Sequence, residues 1–467
     1  MTDLDLAFAP LPLLRAKLRS GELTAVELAN FFLHRLERYG PTYNCLVNLT
    51  HELALKQAAE ADAELKAGRD RGPLHGIPYG AKDLLATKGI PTTWGCAPYK
   101  DRIIDQDATV IRRLREAGAV LVAKLSMVEL AGGMGYRQAN ASLTGPGRNP
   151  WKPSQWSGGS SSGSGSAVSA GLVPFAIGTE TWGSITTPSS YCGLTGLRPT
   201  YGRVSRAGAM ALSWTLDKIG PMAHTAHDCA LVLATIAGPD PDDNSTTDRP
   251  FHYPPADEPG RPFKLAVLKG GVEKSQPEVK EHFERALDVF KKIGTVDEIE
   301  LPELPFGAVA STILGAEMAS AFEEMVTAGD VFQLTAPEDR IGGFAEQAML
   351  ATDYLRAQRI RGKLCRALDA WFAPFDAVLT VPTSGTAPTA EGPFGGHFSN
   401  KSLGGPGNVC GTPAIVMPAG LSQDGLPTAI QLDARAYSES RLVALAMAFQ
   451  NATTWHTAHP ETGPGRH

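Results

Sequence analysis

The strongest constraint on the fold is a repeated alternation. Stretches with helical periodicity give way to short apolar runs bounded by glycine or proline. PLHGIPYGAKDLL, at residues 73–85, has the texture of a buried strand feeding a loop. DATVIRRLREAG then reads as a helix stopped at Gly118, and AVLVAKL reads as a strand. AVSAGLVPFAIGT reads as a helix followed by a strand, and KLAVLKG, FDAVLTVPT and AIVMPAG return to the buried-strand texture. Helix–strand units of this kind predict an α/β fold, a sheet covered by helices on both faces. Upstream, Thr24 and Glu27 form a capping-box pattern before VELANFFLHRL, and residues 51–67 form a second helix rich in Ala, Glu and Lys. Downstream, Pro277 opens an amphipathic helix with Val279, Phe283, Leu287 and Phe290 on one stripe.

At 467 residues the chain is long enough to bury a large core and enclose a dry cavity. Glycine-rich sequence fills 74–206, and apolar strands resume at about 376–432. The intervening block, 275–373, reads as a helical insertion or cap, because strands needed for one sheet lie on both sides of it. The whole of 1–467 is therefore expected to be one domain. A net charge of −6, with no basic block, argues against nucleic acid and anionic membrane as partners. The N-terminal MTDLDLAFAP lacks the pattern of a signal peptide, and no long apolar stretch predicts a membrane span. The six cysteines are scattered without a CxxC pair, and there is no HExxH among the eleven histidines. Neither a metal nor any other cofactor is expected, and the location is expected to be cytoplasmic.

The segment SGGSSSGSGS, residues 157–166, has the composition of a flexible linker. Its surroundings argue otherwise, since an apolar helix–strand signal follows at once. Its glycines suit a loop whose backbone N–H groups turn inward at a helix N-terminus. Phosphate-loop patterns fail: there is no GxxxxGK[ST] and no GxGxxG. Gly159–Gly163 does match GxSxG, which would make Ser161 a nucleophile, but that motif needs a strand directly before it. NPWKPSQW, with two prolines, carries no strand periodicity. A second serine, Ser184, stands in GTETWGSITTP, where small residues after a strand could offer backbone N–H groups to an oxyanion.

Taken together, these residues resemble the amidase signature family. GIPYGAKD, GGSSSGSGSAVSAGLVPFAIGTETWGSI, YCGLTGLRPTYGRVSRAG, LDKIGPMAHTAHDCALVLATIAG and the closing strands carry the likeness from about residue 10 to 451. The resemblance implies a single amidase-signature domain around a large, mixed, twisted sheet. It implies a triad of Lys82, a cis-peptide serine Ser160, and the nucleophile Ser184. It implies an oxyanion hole from the backbone of Thr181, Trp182, Gly183 and Ser184, and a substrate segment Ala131-Gly132-Gly133-Met134. Two departures stand out. Trp182 occupies a position where many members have glycine, and Thr186 one where many have arginine.

The chemistry asks for these residue types. A serine hydroxyl needs a base, and a lysine serves only when burial strips its proton. Before the resemblance is considered, Lys82 could equally be half of a structural salt bridge with Asp83 or another acid. Losing oxyanion-hole support costs about 3 kcal/mol of transition-state stabilisation. The expected activity is hydrolysis of a carbon–nitrogen amide bond through an acyl-enzyme on Ser184, on small hydrophobic or aryl amides. Trp182, Met134, Tyr136, Met210 and Trp214 are the candidate apolar walls. Carbamate (urethane) or ester hydrolysis is one alternative. The amidase subunit of a tRNA-dependent glutamine amidotransferase is another. The partner expected is a small-molecule amide, carbamate or ester, and the protein a monomer or homodimer.

Overall fold

The computed structural model describes residues 2–251, 253, 262–394 and 400–461. Thirteen strands occur among them: β1 (Leu46–Leu49), β2 (Pro78–Lys82), β3 (Val120–Leu125), β4 (Arg148–Asn149), β5 (Lys152–Trp156), β6 (Phe175–Glu180), β7 (Thr195–Arg198), β8 (Lys218–Ala223), β9 (Phe263–Leu268), β10 (Gly294–Ile299), β11 (Ala377–Thr380), β12 (Ala414–Leu421) and β13 (Pro427–Asp433). Eleven form one sheet in the order β1-β3-β2-β6-β8-β7-β12-β13-β11-β9-β10. The sheet is mixed: β3, β2 and β6 run parallel, as do β11, β9 and β10, while the pairings between these groups are antiparallel. The α/β architecture expected from sequence is the one found.

The central strands explain the buried texture of the sequence. Every residue of β2, β3, β6, β7, β8 and β13 is buried. Each fully buried Val, Leu or Ile contributes about 1.5–3 kcal/mol, so such strands are stable only with both faces covered. The helix Ala25–Tyr43 starts at the expected capping box, with Thr24 and Glu27 satisfying each other's backbone N–H groups. It buries Leu28, Phe32, Leu33 and Leu36. The helix Pro277–Ile293 buries Val279, Phe283 and Phe290.

Two segments depart from the sequence reading. Residues 294–299 form β10, a parallel edge strand beside β9, inside the block read as helical. Asp297 and Glu298 sit on this exposed edge, and charges that discourage edge-to-edge pairing also hide the strand signal. Residues 152–156, read as having no strand character, form β5, which pairs with β4 in a separate hairpin and bridges at Gln155 to Thr389. Pro153 is tolerated there because it falls between the residues that pair with β4, Lys152 and Trp156, where no ladder bond calls for its missing N–H.

The serine-rich segment is not a linker: 157–161 form a buried loop that leads into a helix. Ser162–Ser169 is a helix, and all eight of its residues are buried. It packs between the sheet and the helix Thr186–Cys192, which brings the two serine-bearing segments side by side. Gly158 shows why glycine is needed at this junction: its φ is +85° and a Cβ would lie 2.7 Å from Pro188 Cα.

Candidate active site

Lys82 ends β2 inside the core with no exposed surface. Its Nζ donates hydrogen bonds to Ser160 Oγ at 2.7 Å and to Thr179 Oγ1 at 2.9 Å. Neither partner is charged. Burial therefore dominates and pushes the ammonium down to about 7, against the opposing pull of Asp217 and Glu180. Asp83 faces elsewhere: it pairs with Lys124 at 3.2 Å and accepts from the Thr93 backbone at 2.9 Å. The salt-bridge reading of Lys82 with Asp83 is thereby set aside.

Ser160 follows a cis peptide bond from Gly159, the geometry implied by the resemblance. Ser184 is buried but lines a cleft of about 720 Å³ together with Gly159, Thr181, Trp182, Ala131 and Gly132. Among the described residues none makes a side-chain hydrogen bond to Ser184, and none accepts from the backbone N–H of Trp182, Gly183 or Ser184. Trp182 and Ser184 line the cleft. Gly183 has φ +84°, which turns the peptide planes of this loop.

Two carboxylates hold the loop. Glu180 Oε2 accepts from the backbone N–H of Ile185 at 2.9 Å and of Thr186 at 3.0 Å, closing the loop at the start of the helix Thr186–Cys192. Burial alone would raise the Glu180 carboxyl. Arg198 at 3.0 Å, Lys218 and the two N–H groups outweigh it and hold the pKa at about 2. Asp217 accepts from the Thr181 hydroxyl and from the backbone of Leu212 and Ser213, and burial raises its carboxyl. The sequence reading missed Thr179, Glu180 and Asp217. A glutamate inside the apolar strand AIGTE was the available signal, because a buried charge requires a partner.

Ser161, the rival nucleophile, is fully buried and committed to structure. Its hydroxyl donates to the Thr179 carbonyl at 3.2 Å and accepts from the Thr179 N–H at 3.3 Å. The β5 hairpin does precede it, but no open site lies at its hydroxyl.

The other sequence-nominated residues divide. Trp182 is 40% exposed at the cleft, and a Cβ on Gly405 would come within 3.2 Å of its ring. Tyr136 lines the cleft with Trp156, Tyr191 and Phe394, an aromatic group in which Trp156 and Phe394 stack at 4.4 Å. Gly133 and Met134 are not among the lining residues. Met134 is buried in the core, and its sulfur would lie 3.0 Å from a Cβ on Gly343. Met210 and Trp214 line a neighbouring cavity of about 200 Å³, which shares Ala131, Thr181 and Leu212 with the cleft. Among the described lining residues of the larger cleft none bears a charge. Among the described residues no group of His, Cys, Asp and Glu is placed to hold a metal ion. No described helix is long and apolar enough to cross a membrane.

The sequence and the fold have relatives among known proteins. The family model described as Amidase matches residues 27–443. The chain is 37% identical to a glutamyl-tRNA(Gln) amidotransferase subunit of Roseiflexus sp. (strain RS-1), over 96% of this chain and 97% of that protein. It superimposes on the peptide amidase of Stenotrophomonas maltophilia with a TM-score of 0.83 at 30% identity, covering 95% and 97% of the two chains. The corresponding glutamyl-tRNA(Gln) amidotransferase subunit of Thermotoga maritima gives a TM-score of 0.79 at 28% identity, with 97% of each chain covered.

Proposed function

This chain belongs to the amidase signature family and is a hydrolase of carbon–nitrogen amide bonds, and from that premise we propose that it acts on small neutral amides with a hydrophobic or aryl acyl group, through an acyl-enzyme on Ser184. The observation that carries the substrate class is the uncharged lining of the 720 Å³ cleft. A zwitterionic amino acid brings an ammonium and a carboxylate, and burying either without a partner is costly. Aromatic rings at one side and Trp182 at the other can pack against an apolar acyl group, while Gln276, Thr383, Asn400 and Ser402 offer neutral hydrogen-bonding groups.

In the proposed mechanism Ser184 Oγ attacks the amide carbon. Its proton passes to Ser160 Oγ as the Ser160 proton passes to neutral Lys82 Nζ, 2.7 Å away. The negative charge that develops on the carbonyl oxygen is met by the N–H groups of Thr181 to Ser184. Collapse expels the amine, to which the same relay returns a proton from Lys82 by way of Ser160. Water then cleaves the acyl-enzyme by the reverse path. Thr179 fixes the lysine from a second side. Asp217 and Glu180 hold the two ends of the oxyanion loop, so its N–H groups need no rearrangement as charge builds.

A second reading, the glutamine-hydrolysing subunit of a tRNA-dependent amidotransferase, is favoured by the 37% identity to the Roseiflexus protein. Carbamate and ester cleavage are chemically adjacent to the first reading. A panel of anilides, primary amides, carbamates, esters and free glutamine, assayed on the purified chain, separates these. Fastest turnover on neutral aryl or hydrophobic amides supports the proposal. Glutaminase activity with co-purifying subunits would replace it by the second reading.

A further inference from the structure

The turn that carries Asp217 is closed on itself. The Ser213 carbonyl accepts from Leu216 N at 3.1 Å and from Asp217 N at 2.9 Å. One oxygen of the Asp217 carboxylate reaches back to Leu212 N at 2.8 Å and Ser213 N at 3.0 Å. The other accepts from the Thr181 hydroxyl, at the start of the oxyanion loop. Segment 212–217 therefore moves as one unit, and a shift anywhere in it carries Asp217 and Thr181 along. Leu212, in the same unit, lines the cleft.

The unit is gripped from the helical block. Glu317, in the helix Phe306–Ala321, is buried. Its carboxylate accepts from the Ser213 hydroxyl, from Thr215 N at 3.0 Å and from the Thr215 hydroxyl at 2.8 Å. From the helix Ala351–Phe372, the Tyr354 hydroxyl donates to the same carboxylate at 2.8 Å, and Gln358 Nε2 donates to that hydroxyl at 3.0 Å. Arg361, one turn further along that helix, donates from Nη2 to the Thr215 carbonyl at 2.6 Å. All three polar groups of Thr215 are thus held by the block. A buried carboxylate is costly unless several donors meet it, and here the donors come both from the turn and from a second helix. Removing the carboxylate strands the donors of Ser213 and Thr215 and releases the turn from the block.

We propose that Glu317 is a positioning residue that locks the turn 213–217 to the helical block and, through Asp217 and Thr181, fixes the oxyanion loop. The proposal rests on the reading that Thr181 to Ser184 supply the oxyanion N–H groups. Glu317 touches no reacting atom itself. A loosened loop meets the charge that develops on the carbonyl oxygen less well, while the groups that hold the bound substrate stay in place. The loss therefore falls on kcat rather than on KM.

The test is a double-mutant cycle of Glu317→Ala with Thr181→Val, read as kcat and KM on a neutral anilide, with native fold checked by near-UV circular dichroism. Each single variant should lower kcat about tenfold while KM changes by less than about twofold. Both act through the same loop, so the double variant should also fall only about tenfold below wild type. Glu317→Gln keeps an acceptor for Thr215 N and can bond the surrounding hydroxyls, so its kcat should stay within about twofold of wild type. Losses that multiply to about a hundredfold in the double variant, or a change in KM alone, would overturn the lock. If Glu317→Ala loses its native spectrum, Thr215→Val replaces it in the cycle. Its kcat should fall about threefold in wild type and not at all in Thr181→Val; equal losses in both backgrounds would overturn the proposal. If no anilide is turned over, the substrate reading fails separately, and hydrogen exchange of the segment 181–187 still reads the lock. Exchange there should quicken in Thr215→Val and in Thr181→Val; unchanged exchange in the former would sink the proposal.

Discussion

Replacing Lys82 by methionine should remove activity and, at neutral pH, make the protein more stable. Methionine fills nearly the same space in an apolar site and carries no charge. The lysine pKa is depressed from 10.5 to about 7, a fall of about 3.5. At about 1.4 kcal/mol for each pH unit, the native state resists that proton by about 5 kcal/mol. The sign follows from linkage. Between pH 7 and 10.5 the unfolded chain holds the proton and the native chain does not, so the lysine's cost grows as pH falls and is complete below pH 7. Methionine also abandons the bonds to Ser160 and Thr179, each worth about 1 kcal/mol. The expected net gain is about 3 kcal/mol near pH 6, falling to about zero near pH 9. Urea unfolding of both proteins across this pH range gives the difference, and amide turnover should drop by about a thousandfold or more. A variant less stable than wild type at pH 6, or a stability difference independent of pH, would refute the reasoning.

Three further outcomes follow from the same geometry. The kcat/KM of wild type should rise with pH through about 7 as Lys82 loses its proton, and an acid limb absent above pH 5 would show that another group is the base. Glu180→Ala should cost about 3 kcal/mol of stability by stranding part of the Arg198 charge, and lower kcat at least about tenfold by freeing the Ile185 and Thr186 N–H groups. Trp182→Gly should widen the cleft beside Gly405 and shift the acyl preference toward bulkier groups, read as a reordering of kcat/KM across an acyl series.

The buried strands were legible because burial on both faces leaves an unbroken apolar run. VLVAKL and FAIGTE are examples, and even their charged members are buried. Edge and hairpin strands were not, since β10 carries Asp297 and Glu298, and β5 a proline between its paired residues. Lys82, Ser160 and Ser184 stood out through a glycine-rich block whose order is distinctive. Thr179, Glu180 and Asp217 did not, because their contributions depend on contacts across strands and loops that spacing alone cannot reveal. Met134 was nominated from a continuous segment, but the left-handed turn at 130–132 ends the lining there and sends Met134 into the core. Next to that turn, Glu129 accepts from the backbone of Thr335 and Ala336, 206 and 207 positions away, which no local pattern records.

The central claim is that Ser184 carries the acyl group. Quenched turnover of an activated hydrophobic amide or ester, followed by peptide mass spectrometry, tests it directly. The account predicts an acyl adduct on the peptide bearing Ser184 in wild type, and none in Ser184→Ala, which should remain folded and inactive. An adduct on Ser161 or Ser160, or full turnover by Ser184→Ala, would contradict it.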